Sequence, residues 1–208
     1  MISNKIPNSL DEIILRVSEP TIKASIELSK IPNDPKYEPL KEMILNKYRE
    51  EIEKIINEFK LSADDLSQVY PMLIDDLLWY CHTKLDVKCS DKKIDEKYKA
   101  SGKLRYLSPN ELQNYLAFKV IGGRWYELND LKNDNPKAEE ILEKYNVILN
   151  LRYKNPTLGD ILYPQIGQLI VRILKEKGIL IQKEECGEYI ILTDHPEVQD
   201  VMKKFHKY

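Results

Sequence analysis

Apolar residues recur along most of the chain at intervals of three and four residues, which is the spacing of a helix with one buried face. Charged residues, chiefly Glu and Lys, fill the intervening positions and indicate a solvated opposite face. The clearest stripe runs from Ile44 to Phe59 and follows Pro39, a residue suited to the first turn of a helix. The pattern predicts helices over about residues 9–30, 39–60, 62–85, 108–121 and 136–150.

Residues that cap or stop helices set the ends of these segments. Ser62 precedes Asp65 by three residues, which is the arrangement of a capping box. Ser108 and Glu111 repeat that arrangement further along the chain. Gly122–Gly123 is predicted to stop the helix that Ser108 begins, because glycine favours the backbone conformation that ends helices.

Two further helices, separated by a proline, are predicted between residues 155 and 177. Asn155 or Thr157 caps a very short first helix, and Pro164 opens a second helix that ends at Gly178. The apolar side chains of the second helix share one face. The opposite face carries the polar side chains Gln165, Gln168, Arg172 and Lys175.

A small β-hairpin is predicted directly after these helices. Residues 179–181 and 189–192 are rich in β-branched and aromatic side chains, and the charged turn between them contains Gly187. A last amphipathic helix follows Pro196. Its apolar stripe consists of Val198, Val201, Met202 and Phe205.

The order of elements from residue 136 is helix, short helix, helix and hairpin, which resembles a winged-helix domain, the helix-turn-helix variant with an appended β-hairpin. The resemblance covers about 136–194 and rests on element order and lengths, without a diagnostic motif. It implies that helix 164–177 enters the major groove of DNA and that the hairpin is the wing. Base contacts from Gln165, Gln168 and Arg172 and phosphate contacts from Lys175, Lys154 and Lys183 would follow.

The fold class expected from these elements is mostly α, in two parts. Residues 1–85 form an N-terminal helical bundle, and residues 86–103 form a charged linker or loop with few apolar side chains. Residues 104–208 form a second unit that ends in the winged helix, with its small β-hairpin, and the C-terminal helix. The function expected is non-catalytic binding of duplex DNA, in transcription control or in replication and maintenance of DNA.

The charge balance limits how strongly the whole chain attracts nucleic acid. Lysine and arginine number 32 against 34 acidic residues, so the formal net charge is −2 at pH 7. Glu184, Glu185 and Glu188 surround Lys183 in the turn of the wing, and carboxylates repel phosphate. Two alternatives therefore stay open: the polar helix face is an ordinary solvated surface, or the protein is a scaffold subunit whose winged helix binds a protein partner.

A second stretch of the chain interleaves cations with aromatic side chains. Aromatic rings beside basic groups can hold single-stranded nucleic acid by stacking on its bases. The alternative is that these aromatic residues belong to a core that joins two subdomains. The residues that would contact a single strand are Arg105, Lys119, Arg124, Trp125 and Tyr126.

No motif for catalysis, for a cofactor or for a metal is evident in the sequence. Cys81 and Cys89 lack the spacing of a metal-binding pair. The neighbouring acids Asp64–Asp65 and Asp75–Asp76 diverge on a helix, and no nucleophile or phosphate-binding motif occurs. We therefore expect a protein that is not an enzyme and needs neither a cofactor nor a metal.

Location and assembly are expected from weaker signals. No stretch reaches the roughly 18 apolar residues of a membrane span, and the first residues lack a signal-peptide pattern. Three cysteines without a CxxC pair indicate reduced thiols, so we expect a cytoplasmic protein. Abundant Lys, Glu, Ile and Tyr, with few Gln and His, indicate a thermophilic or an AT-rich source. The stripe of the last helix could pair with a second copy and form a homodimer.

Overall fold

The computed structural model describes residues 7–66, 73–75, 105–107, 109–182, 189–191 and 195–205. Within these residues the protein is mostly helical, as the apolar pattern predicts. The α-helices are α1 (Ser9–Ser29), α2 (Glu38–Asn57), α3 (Pro109–Leu131), α4 (Pro136–Lys154), α5 (Pro156–Glu176) and α6 (Pro196–Phe205). Short 3-10 helices lie at Pro35–Tyr37 and Asp64–Leu66.

Helix α1 begins at a capping box and packs on α2. The Asn8 side chain accepts a hydrogen bond from the backbone N–H of Asp11 at 3.0 Å, and the Asp11 carboxylate accepts one from the backbone N–H of Asn8 at 3.1 Å. The Tyr48 hydroxyl of α2 donates to the Glu27 carboxylate of α1. Ile52 is fully buried on the same side of α2. The two helices predicted first along the chain therefore pair with each other.

The capping box predicted at Ser62 is confirmed. The Asp65 carboxylate accepts hydrogen bonds from the backbone N–H and the hydroxyl of Ser62, at 2.8 and 2.9 Å. The Ser62 hydroxyl oxygen in turn accepts one from the backbone N–H of Asp65 at 3.3 Å. Most of the helix predicted over 62–85 lies outside the described residues.

A three-stranded antiparallel sheet is formed from segments far apart in sequence. Its strands, in chain order, are β1 (Arg105–Leu107), β2 (Leu180–Gln182) and β3 (Tyr189–Ile191). The spatial order is β1-β3-β2, with Ile190 of β3 flanked by Tyr106 of β1 and Ile181 of β2. The two β-rich runs after Gly178 therefore pair with each other, and β1 is a strand that the sequence pattern did not predict.

The chain divides into two compact units, and each unit combines two stretches of sequence. The first unit comprises Met1–Leu61 and Ile121–Ile166, and the second comprises Ser62–Val120 and Gly167–Tyr208. Helices α3 and α5 are each continuous through a boundary and contribute residues to both units. The division therefore does not follow chain order.

This organisation differs from the predicted bundle over 1–85 and C-terminal unit over 104–208. The sequence-based division assumed that each unit is one continuous stretch, with a break where charged residues accumulate. Two of the three boundaries instead fall inside the helices α3 and α5, and the third lies between Leu61 and Ser62. The predicted linker at 86–103 lies outside the described residues.

The glycine pair in α3 does not stop the helix, so the predicted end at Gly122–Gly123 is wrong. Helix α3 continues to Leu131, and Ile121 and Leu128 are fully buried on either side of the pair. A glycine costs a helix about 1 kcal/mol relative to alanine, whereas burying one such aliphatic side chain contributes about 1.5–3 kcal/mol. Burial on both sides of the pair outweighs the local preference.

The proline in α5 does not divide the helix either. The predicted short helix and the helix predicted from Pro164 are one helix, Pro156–Glu176. The start is as predicted, because the Asn155 side chain accepts a bond from the backbone N–H of Leu158 at 3.4 Å. An internal proline costs about 3 kcal/mol, and apolar burial on both sides of it is larger. The fully buried side chains of α5 include Leu158, Leu162, Ile166, Ile170 and Leu174.

The two described side chains of the apolar stripe on the C-terminal helix, Val198 and Val201, are covered within the single chain. Val198 is 0% exposed and Val201 is 8% exposed, so neither offers a free surface to a second copy. The side chains of Met202 and Phe205 lie outside the described ones. The two valines therefore give no reason to expect a homodimer through this stripe.

Among the described residues, no helix is long and apolar enough to cross a membrane.

Candidate nucleic-acid interface

The last part of α5, residues 167–176, crosses the first part of α3 at very short range. Both segments belong to the second unit. A methyl group on Gly167 would lie 2.1 Å from the backbone carbonyl oxygen of Gln113. Because no side chain fits in that space, the two helical backbones are in direct contact at Gly167.

Helix α5 then ends in a turn that leads directly into β2. The backbone N–H of Gly178 donates to the carbonyl of Lys175, and that of Ile179 donates to the carbonyl of Leu174, both at 3.0 Å. Gly178 has a φ of 74°, a left-handed conformation that side chains other than glycine rarely adopt. The glycine predicted to end this helix therefore does so and directs the chain into the sheet.

Three of the predicted DNA-contacting side chains share one exposed face of this segment. Gln168, Arg172 and Lys175 are separated by four and three residues, which places them on one side of a helix. All three are exposed. We call these three residues the α5 face.

The members of the α5 face differ in how they are held. Gln168 and Arg172 make no hydrogen bond or ion pair with any residue in the described part of the chain. The Lys175 ammonium donates to the side-chain oxygen of Gln182 on β2 at 3.3 Å. One cation is therefore tethered to the sheet, while the guanidinium and the amide remain available to another molecule.

A shallow depression adjoins the α5 face where the helix meets β3. Its volume is about 400 Å³. Val171 and Tyr189 are buried and form its apolar part, while Glu176 adds one carboxylate beside the cations. The residues that line it are Gln168, Val171, Arg172, Lys175, Glu176 and Tyr189. The surface thus combines hydrogen-bonding groups and positive charge with a small apolar floor.

Gln165 does not belong to this face, so its predicted role as a base reader is corrected. It lies in the first unit, is half-buried, and donates its amide to the Glu53 carboxylate of α2 at 3.0 Å. Its spacing of three residues from Gln168 correctly placed both on one side of α5. The hydrogen bond to α2, however, uses the amide within the chain.

Two further residues, Lys154 and Lys183, were predicted to contact phosphates. Lys154 is exposed at the end of α4 and belongs to the first unit. Lys183 and the glutamates of the predicted wing turn lie outside the described residues. Within the described residues, the α5 face is therefore assembled from residues 168, 172 and 175 alone.

Arg124 is buried, which contradicts its predicted contact with a single strand. Its guanidinium is bound on two sides, donating from Nε and Nη2 to the Asp11 carboxylate at 3.0 and 2.8 Å and from Nη1 to Glu127 at 2.9 Å. The Tyr145 hydroxyl donates to the same Asp11 carboxylate at 2.7 Å. Asp11 is 0% exposed and Arg124 is 8% exposed. We call these four residues the Asp11 network.

The electrostatics of the Asp11 network keep its charges in place. Burial by itself lowers the pKa of Arg124, but the hydrogen bonds that Arg124 donates to Asp11 and Glu127 outweigh burial and raise that pKa above its ordinary value. Burial, followed by the negative charge of Asp11, raises the pKa of Tyr145 well above its ordinary value. The phenol therefore stays protonated and can donate to Asp11 at neutral pH. This network joins α1, α3 and α4, and no local sequence signal reveals it.

The remaining residues of the predicted single-strand surface are Arg105, Lys119, Trp125 and Tyr126. Trp125 donates its indole N–H to Asn146 at 2.8 Å, and Tyr126 is 68% exposed and packs edge-to-face on Trp125. Lys119 belongs to the second unit, and its ammonium lies 5.7 Å from the centre of the Tyr115 ring. The side chain of Arg105 lies outside the described ones. Among the described side chains predicted for this surface, Trp125 and Tyr126 thus lie in the first unit with the buried Arg124.

No metal-binding cluster emerges from the described residues. They contain no group of three or more His, Cys, Asp or Glu side chains that could hold a metal ion. Cys81, Cys89 and His82 lie outside the described residues.

A scan against protein-family models, a search of curated proteins and a search of solved structures found no match to this chain. The geometry of the described residues therefore carries the functional proposal.

Proposed function

We propose that the second unit binds duplex DNA, with residues 167–176 of α5 in the major groove. The observation that carries this proposal is the exposed α5 face, on which Gln168 and Arg172 make no hydrogen bond within the described residues. A helix fits the major groove of B-form DNA, where glutamine and arginine can bond base edges. Lys175, which is tethered by its hydrogen bond to Gln182 of β2, supplies a contact to a phosphate.

The element that presents this face is a winged helix whose helix pair differs from the one expected from sequence. Its first helix is the N-terminal part of α3, and its second is the segment 167–176 of α5. The direct backbone contact at Gly167 supports this pairing. The hairpin of β2 and β3, which follows α5 through Gly178, supplies the wing, and β1 extends its sheet.

In this proposal the two helices of the pair are interrupted in sequence by residues 121–166. Those residues belong to the first unit. In this pairing the first helix comes from α3, whereas the order of elements from residue 136 onward had placed it at the start of α5. Two boundaries of the second unit, after Val120 and before Gly167, then fall just after the first helix of the pair and just before the second.

A protein partner is the second candidate, and one set of residues favours it. Glu176 lies beside the α5 face, and the sequence of the wing turn contains Glu184, Glu185 and Glu188. Carboxylates at these positions would repel DNA phosphates, so few phosphate contacts are available to the wing. A protein surface with basic side chains would suit such a turn.

Duplex binding is tested by removing both cations of the α5 face. We expect Arg172→Ala combined with Lys175→Ala to weaken binding to a short random-sequence duplex, measured by fluorescence anisotropy between about 50 and 200 mM salt. The slope of log affinity against log salt should fall in magnitude by about 0.9, the contribution of one phosphate contact, because Lys175 is the phosphate contact that is lost. The loss of affinity should be largest at the lowest salt concentration.

The matched control removes two exposed lysines of the first unit. Lys132→Ala combined with Lys137→Ala changes the net charge by the same amount and should leave the affinity and the slope close to those of the parent. If the α5 variant binds as tightly as the parent, with the same salt slope, the α5 face is not the interface. If the parent itself binds no duplex at the lowest salt, the DNA proposal fails and the protein-partner candidate replaces it.

A further inference from the structure

The α5 face divides its side chains into two chemical classes. Gln168 and Arg172 have no hydrogen-bonding partner among the described residues, whereas Lys175 is tethered to Gln182. A side chain that reads a base needs its whole hydrogen-bonding edge, while a phosphate contact needs only a positive charge. The face therefore contains two candidate base readers and one sequence-independent anchor.

We propose that the α5 face recognises an adenine and a guanine within about two base-pair steps of each other, read by Gln168 and Arg172. This inference rests on the proposed function and adds the class of DNA sequence that the face selects. The glutamine amide offers one donor and one acceptor, which match N6 and N7 of adenine. The arginine guanidinium offers two parallel donors, which match O6 and N7 of guanine.

The separation of the two side chains sets the separation of the two bases. Gln168 and Arg172 are four residues apart on one continuous helix, which corresponds to a rise of about 6 Å. Base pairs in DNA follow each other at about 3.4 Å along the axis. The two readers therefore reach neighbouring or next-neighbouring base pairs, and both can bond at once.

The same geometry distinguishes DNA from RNA. A duplex of RNA has a deep and narrow major groove that side chains on a helix cannot read. Gln168 and Arg172 are carried on a helix that needs the wider major groove of B-form DNA. We therefore expect the base preference only on DNA, while Lys175 can attract the phosphates of either nucleic acid.

The inference is tested by selection from a random duplex DNA library, followed by sequencing of the bound pool. We expect the parent to enrich sites that contain the adenine and the guanine at a fixed spacing, with about 5- to 150-fold discrimination at each position. Gln168→Ala should lose the preference for adenine and keep that for guanine. Arg172→Ala should lose the preference for guanine and keep that for adenine.

Gln165→Ala is the matched control, because it removes the same amide from the same helix at a position bonded to Glu53. It should keep both preferences. A parent that binds duplex DNA but enriches no base overturns the inference and leaves the proposed function intact. A Gln168→Ala pool identical to the parent pool also overturns it, while a parent that retains no duplex at low salt overturns the proposed function itself.

Discussion

The regions around Arg124 and Arg172 use the same side chain in opposite ways. Arg124 lies in the first unit and is enclosed by Asp11 and Glu127, so its donors are used within the chain. Arg172 lies in the second unit, is exposed, and makes no hydrogen bond or ion pair among the described residues. The sequence suggested nucleic-acid binding for both arginines.

The difference teaches that a cation's role depends on partners that are distant in sequence. Asp11 and Arg124 are 113 residues apart, so no window of sequence contains both. When either the arginine or the carboxylate of a buried pair is removed, the charge of the other residue stays buried without a partner. An exposed arginine is hydrated in the unbound protein, so its removal leaves no buried charge behind. Stability should therefore depend on Arg124, and binding should depend on Arg172.

The largest effect is expected on stability, from Arg124→Ala. Removal of the guanidinium leaves the Asp11 carboxylate buried without its cation, which should lower the free energy of unfolding by about 3–5 kcal/mol. The matched change, Arg172→Ala, removes an exposed side chain and should alter the free energy of unfolding by less than about 0.5 kcal/mol. Urea denaturation followed by circular dichroism measures both values.

The comparison between the two arginines also makes a claim about binding. Under conditions where Arg124→Ala remains folded, it should bind duplex DNA as the parent does, whereas Arg172→Ala should bind more weakly. Equal losses of stability in the two variants would contradict the distinction between a closed network and an open face. A folded Arg124→Ala protein without affinity for DNA would contradict the same distinction.

A smaller effect is expected from the glycine that brings α5 against α3. Gly167→Ala places a methyl group against the backbone carbonyl of Gln113 and should cost about 1–3 kcal/mol of stability. It should also weaken duplex binding, because the α5 face would be displaced. Thermal unfolding and fluorescence anisotropy on the same preparation measure the two effects.

Gly122→Ala in α3 is the matched control for this change. A Cβ atom there would meet nothing within 4 Å, so the substitution should stabilise the helix by about 0.5–1 kcal/mol. If the free energy of unfolding falls in Gly167→Ala and rises in Gly122→Ala, the two positions differ as expected for a close helix contact and an open helix surface. A stabilising Gly167→Ala would show that the two backbones do not meet there.

Local sequence signals predicted the elements whose causes are local. Contacts within a few residues determine several predicted features. These are the helices at 9–30 and 39–60, the capping box of Ser62 and Asp65, and the helix cap at Asn155. The hairpin strands likewise follow from β-branched and aromatic runs around a turn. These features were readable because the interactions that define them span little sequence.

The predictions that were wrong are those in which distant packing overrides local preference. Gly122–Gly123 and Pro164 are helix breakers by local preference, yet α3 and α5 continue through them because both sides are buried. The role of the single side chain Gln165 is likewise determined by a distant partner. Helical spacing correctly placed it beside Gln168, but its bond to Glu53 spans 112 residues.

The most direct test of the proposed interface observes both arginines at once during a DNA titration. The chain contains six arginines, and their side-chain Nε–H signals can be followed by nuclear magnetic resonance, with Arg124→Lys and Arg172→Lys variants to assign two of them. As short duplex DNA is added at low salt, we predict that the Arg172 signal shifts and that the Arg124 signal stays in place. Saturable binding of the duplex with an unchanged Arg172 signal would contradict the claim that the α5 face is where DNA binds.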